Sequence, residues 1–95
     1  MSKIDALTKN LLYEDVTVIH AAYEDTPRTV AFVSVEKKLT DTAKLETAFM
    51  KTNTIENAWW NNEGVTKMFG GGACRSTSVG DMVLIGTTKY KCEPT

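Results

Sequence analysis

The chain has no long apolar run, only two cysteines and a single histidine, and each scarcity excludes a class of protein. No stretch approaches the roughly 20 apolar residues of a membrane span, and the first residues carry charge where a signal peptide needs an apolar segment. We therefore expect a cytoplasmic protein in which Cys74 and Cys92 stay reduced. Two cysteines and one histidine fall short of the four ligands of structural zinc, so the sequence predicts no metal and no cofactor.

Clustered positive charge is also lacking. The chain has 11 basic and 12 acidic residues, which gives a net charge of −1. No basic residues follow one another beyond the pair Lys37–Lys38. Proteins that bind the phosphate backbone of nucleic acids normally use clusters of lysine and arginine. The composition therefore disfavours nucleic acid as a partner.

The composition itself is that of a folded globule, with 42% hydrophobic and 24% charged residues. Its length of 95 residues suits one domain, which we expect to span 1–95. The pattern of apolar, capping and turn residues predicts a definite order of elements. Helices are predicted over 2–12, over 41–52 and in a short segment that leads into Trp60, and strands are predicted over 15–22, 29–35, 82–85 and 88–92. This order predicts an α+β fold, with a mostly antiparallel sheet of about four strands packed by two or three helices.

Some of these elements carry finer predictions. Residues 29–35 are apolar on both faces, which predicts a central strand with Phe32 in the core. The helix over 41–52 is expected to be capped by Thr40 or Asp41 and to bury Phe49. Residues 64–81 are predicted to form an irregular loop.

An aromatic pair, Trp59 and Trp60, precedes two amides, Asn61 and Asn62. Neighbouring side chains point about 100° apart on a helix and to opposite faces of a strand, so one ring is expected in the core and the other nearer the surface. An exposed tryptophan beside amides is typical of an anchor for a protein partner. The alternative is that the second ring only covers the edge of the core.

A glycine-rich loop follows the aromatic pair. Its glycines allow the backbone N–H groups to turn inward, and one arginine with three hydroxyl groups is suited to an anion or a phosphorylated ligand. The residues of this candidate site are Gly70, Gly71, Gly72, Arg75, Ser76, Thr77 and Ser78. The loop lacks the Gly-Lys-Ser/Thr ending of a phosphate-binding P-loop, and glycines also serve simply as tight turns.

Cys74 and His20 form the one thiol–imidazole pair that we considered for catalysis. No local motif marks Cys74 as a nucleophile, and His20 is interpreted as a strand residue at a sheet edge. Asp81 is expected to hold a turn by accepting backbone N–H groups. The sequence therefore predicts a protein that is not an enzyme.

Three stretches together resemble a group of small proteins encoded by tailed bacteriophages, including phages of cyanobacteria. They are Leu45–Phe49, Thr52–Trp60, and Arg75–Asp81 with the hairpin that contains Tyr90. The resemblance covers about residues 39–94 and implies a phage origin, but it supplies no catalytic residue. Small phage proteins of this kind often act by binding a host or phage macromolecule.

Two functions follow as expectations. The first is a phage-encoded, non-catalytic binding protein that engages a host or phage protein through Trp59–Asn62 and the adjacent glycine-rich loop. The second is a nucleotide- or nucleic-acid-binding module that uses Gly70–Ser78, with a tryptophan stacked on a base and Arg75 on phosphate.

Overall fold

A computed structural model describes residues 11–54 and 58–93, and the predicted helix over 2–12 lies almost entirely outside them. Within the described residues, the elements in chain order are β1 Tyr13–His20, β2 Arg28–Glu36, helix α1 Asp41–Thr52, a short 3-10 helix Trp59–Asn61, β3 Val65–Lys67, β4 Met82–Ile85 and β5 Thr88–Lys91. The strands form one antiparallel sheet in the order β3-β2-β1-β4-β5. The predicted α+β class with an antiparallel sheet is confirmed.

The counts of elements differ from the prediction. The described residues contain five strands, one more than expected, and one α-helix with the 3-10 helix, where two or three helices were expected. The additional strand is β3, which lies in the segment 64–81 that was predicted to be irregular. Its three residues pair with β2 from Val65↔Val33 to Lys67↔Ala31. Three residues are too few to show the two-residue alternation by which a strand is predicted.

Strands β1 and β2 form an antiparallel hairpin and the centre of the core. Val16 and Val18 are fully buried on one face of β1, and they pair with Val33 and Ala31. The register shifts after Val18, because β2 contains an extra residue, Val30, that makes a bulge. The bulge places Val30 and Ala31, which are adjacent in sequence, in the same buried core.

Helix α1 covers that face of the sheet. Thr40 caps the helix, since its hydroxyl oxygen accepts a hydrogen bond from the backbone N–H of Ala43 at 3.2 Å. Ala48 and Thr52 are fully buried, whereas Phe49 is only half-buried. Phe32 is also half-buried, because it points to the opposite face of the sheet from Ala31 and Val33. The prediction that both phenylalanines lie in the core was therefore too strong.

The two ends of the sheet differ in what they carry. One end has short connections, such as the two-residue turn Gly86–Thr87 between β4 and β5, where Gly86 takes a positive φ of 59°. The other end, where β1 and β3 finish and β2 and β4 begin, carries the longer segments 21–28 and 68–81. We call these two segments the loop end.

Candidate functional site

The loop end is organised around one buried carboxylate, that of Asp81, which is fully excluded from solvent. Its Oδ1 accepts hydrogen bonds from the backbone N–H groups of Ala21 at 2.8 Å and Ala22 at 2.9 Å. Its Oδ2 accepts from the backbone N–H of Ser78 at 2.8 Å. The expectation that Asp81 holds a turn is confirmed, and the same carboxylate also ties that turn to the segment after β1.

Arg75 completes the coordination of this carboxylate. Its guanidinium donates to both oxygens of Asp81 at 2.7 Å and to both oxygens of Glu24 at 2.7 and 3.1 Å. Such forked pairs between a guanidinium and a carboxylate are the strongest hydrogen bonds that side chains make with each other. Arg75 therefore joins the two segments of the loop end through two acidic partners.

The ionisation of this cluster follows from its contacts. Burial opposes the charge on Asp81, but the hydrogen bonds from Arg75 and from three backbone N–H groups outweigh it and hold the pKa of that carboxyl well below its usual range. The hydrogen bonds to Asp81 raise the pKa of Arg75, against the effect of burial. The hydrogen bond from Arg75 lowers the pKa of Glu24. The cluster is thus charged at neutral pH.

Gly80 allows the two segments to approach this closely. It has a positive φ of 98°, and a Cβ at this position would lie 3.0 Å from the Cβ of Ala22. Any larger residue would have to push Ala22 away, although the backbone N–H of Ala22 is bonded to Asp81. The glycine is therefore required for the carboxylate to reach both segments.

An exposed tyrosine lies on the outside of the cluster. Tyr23 is 77% exposed, and the centroid of its ring lies 4.9 Å from the guanidinium carbon of Arg75. A cation over an aromatic face at this distance is an attractive arrangement. Two further apolar side chains are exposed at the loop end, Met68 and Val79. The loop end therefore presents apolar groups on a hydrogen-bonded base.

The predicted tryptophan corner lies beneath this surface. The ring of Trp59 is buried, as was expected for one of the pair, and its indole N–H donates to the backbone oxygens of Cys74 and Arg75. Trp60 is half-buried and contacts Phe69 edge-on. The amide of Asn62 donates to the backbone oxygen of Lys51 and to the hydroxyl of Thr54, so it acts within the fold, whereas Asn61 is exposed. Trp59 and Asn62 are thus occupied by internal contacts.

The polar side chains that were expected to form an anion site on the glycine-rich loop have partners within the fold. Gly70, Gly71 and Gly72 are exposed, but the charge of Arg75 is already matched by Glu24 and Asp81. The other members of the candidate site are also engaged within the fold: Ser76 donates to the backbone of Thr54, Thr77 is buried against His20, and the N–H of Ser78 is bonded to Asp81. The anion that this loop holds is the protein's own carboxylate.

His20 differs from its interpretation as a residue at a sheet edge. It ends β1, which is the middle strand of the sheet, and it is fully buried. Its Nε2 lies 3.0 Å from the Thr77 hydroxyl and 3.9 Å from Oδ2 of Asp81, and its Nδ1 lies 3.6 Å from Sγ of Cys74. The thiol–imidazole pair that no motif indicated is therefore in contact, and Arg28 also approaches the sulfur, at 3.4 Å.

Sequence reasoning did not select Tyr23, Glu24 or Arg28. Each lies in or beside a turn with no motif around it, and each acquires its role only when residues about 50 positions later fold against it. The doublet Glu24–Asp25 has the composition of a solvated turn. A charged doublet and a later isolated arginine were the one available signal, and it is a weak one.

No family model, curated protein or solved structure matches the chain. In the part of the chain that the structure describes, no helix is long and apolar enough to cross a membrane. In that same part, no group of three or more metal-binding side chains comes together. Function is therefore inferred from the side chains at the loop end and their geometry.

Proposed function

We propose that this protein is a non-catalytic binding module that engages another protein through its loop end. The observation that carries the proposal is the exposed ring of Tyr23, seated on a guanidinium that Glu24 and Asp81 hold in place. Tyrosine, arginine and tryptophan are the residues that most often dominate protein interfaces. A side chain that is already held in position loses less conformational entropy on binding than a free one.

The surroundings of Tyr23 support a protein partner rather than a nucleic acid. Segments 21–28 and 68–81 contain two arginines and three carboxylates, so the surface has no excess positive charge. Met68 and Val79, both about half exposed, extend the apolar character of the loop end. Interfaces between proteins are enriched in aromatic residues and methionine, whereas binding to a phosphate backbone requires basic residues that neutralise the phosphate charges. With the resemblance to phage proteins, the partner that we expect is a host or phage protein.

The predicted binding residues Trp59–Asn62 have a smaller role in this proposal than Tyr23. Trp60 and Asn61 are the members of Trp59–Asn62 that reach the surface, and Trp60 packs on Phe69, the residue after Met68. Trp59 contributes indirectly, since its indole N–H holds the backbone of Cys74 and Arg75. The partner is therefore expected to contact Trp60 at the margin and Tyr23 directly.

The experiment compares Tyr23, which lies three residues after the end of β1, with Tyr13, which begins that strand. Tagged wild-type protein, Tyr23→Ala and Tyr13→Ala are used to capture proteins from host lysate, with and without nuclease, and binding of the captured protein is then measured by titration. Tyr13 is the matched control, because it is also exposed but lies at the other end of the strand. We expect Tyr23→Ala to weaken binding by roughly tenfold or more, which corresponds to about 1.4 kcal/mol, and Tyr13→Ala to have little effect.

Two results would contradict the proposal. Equal binding by Tyr23→Ala and wild type would remove the loop end from the interface. Complete loss of captured material after nuclease treatment would favour the alternative of a nucleic-acid-binding module.

A further inference from the structure

Cys74 lies in a setting that the proposed protein binding does not use. The residue is half-buried, and Nδ1 of the fully buried His20 lies 3.6 Å from its sulfur. On the other side of the imidazole, Nε2 lies 3.0 Å from the Thr77 hydroxyl and 3.9 Å from the Asp81 carboxylate. A carboxylate in this position favours the tautomer with its proton on Nε2, which leaves Nδ1 free to accept the proton of the thiol.

Arg28 gives this thiol a cationic neighbour. Its guanidinium donates to Sγ of Cys74 at 3.4 Å, and the residue is exposed. Among residues 11–54 and 58–93, Arg28 makes no ion pair, whereas Arg75 is matched by two carboxylates. A small molecule that approaches the sulfur would therefore meet the guanidinium of Arg28, which no carboxylate of the described residues pairs with, although the loop end as a whole carries no excess positive charge.

We propose that Cys74 is a thiol-exchange site for small disulfides that carry carboxylate groups, with His20 as the proton acceptor. In the exchange, the Cys74 S–H proton moves to Nδ1 of His20, and the sulfur attacks one sulfur of the small disulfide. The S–S bond of the small molecule breaks, a mixed disulfide with Cys74 forms, and the other half leaves as a thiol that takes the proton back. Cys74 is oxidised, and the small disulfide, which is the oxidant, is reduced. The exchange needs no protein partner, so it does not depend on the proposed binding function.

The rate of exchange should depend on pH in a characteristic way. Burial lowers the pKa of His20, with the Asp81 charge opposing it, and burial raises the pKa of the Cys74 thiol. The charged or titratable groups that act on His20 are Asp81, Arg75, Glu24, Arg28 and Cys74. Between about pH 6.5 and 8.5 the pair thus stays a neutral imidazole and a thiol. The rate at Cys74 should be nearly constant over this range, because the proton acceptor is already present.

Cys92 is the internal control. It is also half-buried, burial and the Asp81 charge raise the pKa of its thiol, and no histidine in the described residues contacts it. Without a proton acceptor only the thiolate reacts, so its rate should rise about tenfold per pH unit over the same range. The comparison uses Cys92→Ser to follow Cys74 and Cys74→Ser to follow Cys92.

The test measures mixed-disulfide formation by intact-protein mass spectrometry with glutathione disulfide, which is anionic, hydroxyethyl disulfide, which is neutral, and cystamine, which is cationic. At pH 7 we expect Cys74 to react with glutathione disulfide at least about tenfold faster than Cys92, as general-base assistance implies. At Cys74, the anionic disulfide should react fastest, the neutral one more slowly and the cationic one most slowly, and this is the order of rates that the variants test. Arg28→Gln should remove most of this order, whereas Lys38→Gln, a charge change at an exposed residue of the opposite end, should preserve it.

Each arm can overturn its part of the proposal. A tenfold rise per pH unit at Cys74, parallel to that of Cys92, would exclude His20 as the proton acceptor. Equal rates for the three disulfides, or an order unchanged in Arg28→Gln, would exclude the carboxylate-bearing class. His20→Gln, if circular dichroism shows that it is folded, should convert the flat profile into the tenfold slope. If His20→Gln does not fold, the pH dependence of the wild-type rate at Cys74 by itself decides whether His20 is the proton acceptor.

Discussion

Replacing Asp81 by Asn is the sharpest test of the loop-end cluster. The two side chains have nearly the same shape, but Asn carries no charge and offers one acceptor oxygen where Asp offers two. The change leaves the guanidinium of Arg75 with one carboxylate fewer, and it leaves at least one of the backbone N–H groups of Ala21, Ala22 and Ser78 facing an amide NH2. Breaking a buried ion pair by removing one partner costs about 3–5 kcal/mol.

A loss of this size is a large part of the stability of a small domain, which is typically about 5–15 kcal/mol. For a chain of this length it corresponds to a fall in melting temperature of about 15 °C or more. The assay is thermal unfolding followed by circular dichroism at pH 7, with Asp25→Asn as the control. Asp25 is an exposed carboxylate in the same loop, so its replacement should change stability by less than about 0.5 kcal/mol.

The pH dependence gives a second check with a definite sign. The pKa of Asp81 is lower in the folded protein than its usual value, so its contribution to stability is complete above about pH 5 and is progressively lost as the pH falls below that. The difference between wild type and Asp81→Asn should therefore narrow by about 1 kcal/mol between pH 7 and pH 3. If Asp81→Asn melts within about 3 °C of wild type at pH 7, the cluster does not hold the loop end together.

Two further predictions use matched pairs. Gly80→Ala should destabilise the fold by about 1–3 kcal/mol, because φ is positive there and the new Cβ would contact Ala22. Gly72→Ala should leave the stability nearly unchanged, because no atom lies within 4 Å of the position of its Cβ. Chemical denaturation measures the free energy of unfolding of both variants. Trp59→Phe should lower the free energy of unfolding by about 2–3 kcal/mol, since two carbonyl oxygens lose their indole donor and a cavity remains. Trp60 is half-buried, so Trp60→Phe should lower it by less than half as much in the same assay. Equal effects within either pair would contradict the packing described above.

Those parts of the fold that depend only on residues close together in the sequence could be predicted from the sequence. The β-branched runs of β1 and β2, the Thr40 cap and the two strands on either side of Gly86–Thr87 each have a local physical cause, and each was found within about two residues of where it was expected. Strand β3 could not be predicted, because its three residues become a strand only by pairing with β2. The half-buried position of Phe32 likewise depends on which face of β2 the helix covers.

The candidate site could not be predicted for a related reason. His20 meets Thr77 across 57 positions and Cys74 across 54, and neither separation leaves a periodic signal in the chain. Arg75 was singled out as the charge of an anion site, but the sequence does not show that Asp81 and Glu24 pair with it. A charge is available to a ligand only if the fold leaves it unpaired, and pairing is a tertiary property.

The distribution of polar groups in the core bears on both proposals. Most of the core is made of valine and alanine, yet His20, Thr77 and Asp81 are completely buried together at the loop end. Replacing a buried charged cluster with apolar residues of similar volume often leaves the stability unchanged or raises it. Stability alone therefore does not explain why polar groups lie here. A hydrogen-bonded network does fix positions more narrowly than apolar contacts, because each bond has a preferred length and direction. A cluster that holds an exposed Tyr23 and orients an imidazole toward a thiol is what a functional surface requires, and the three polar groups that are buried together there favour function at the loop end.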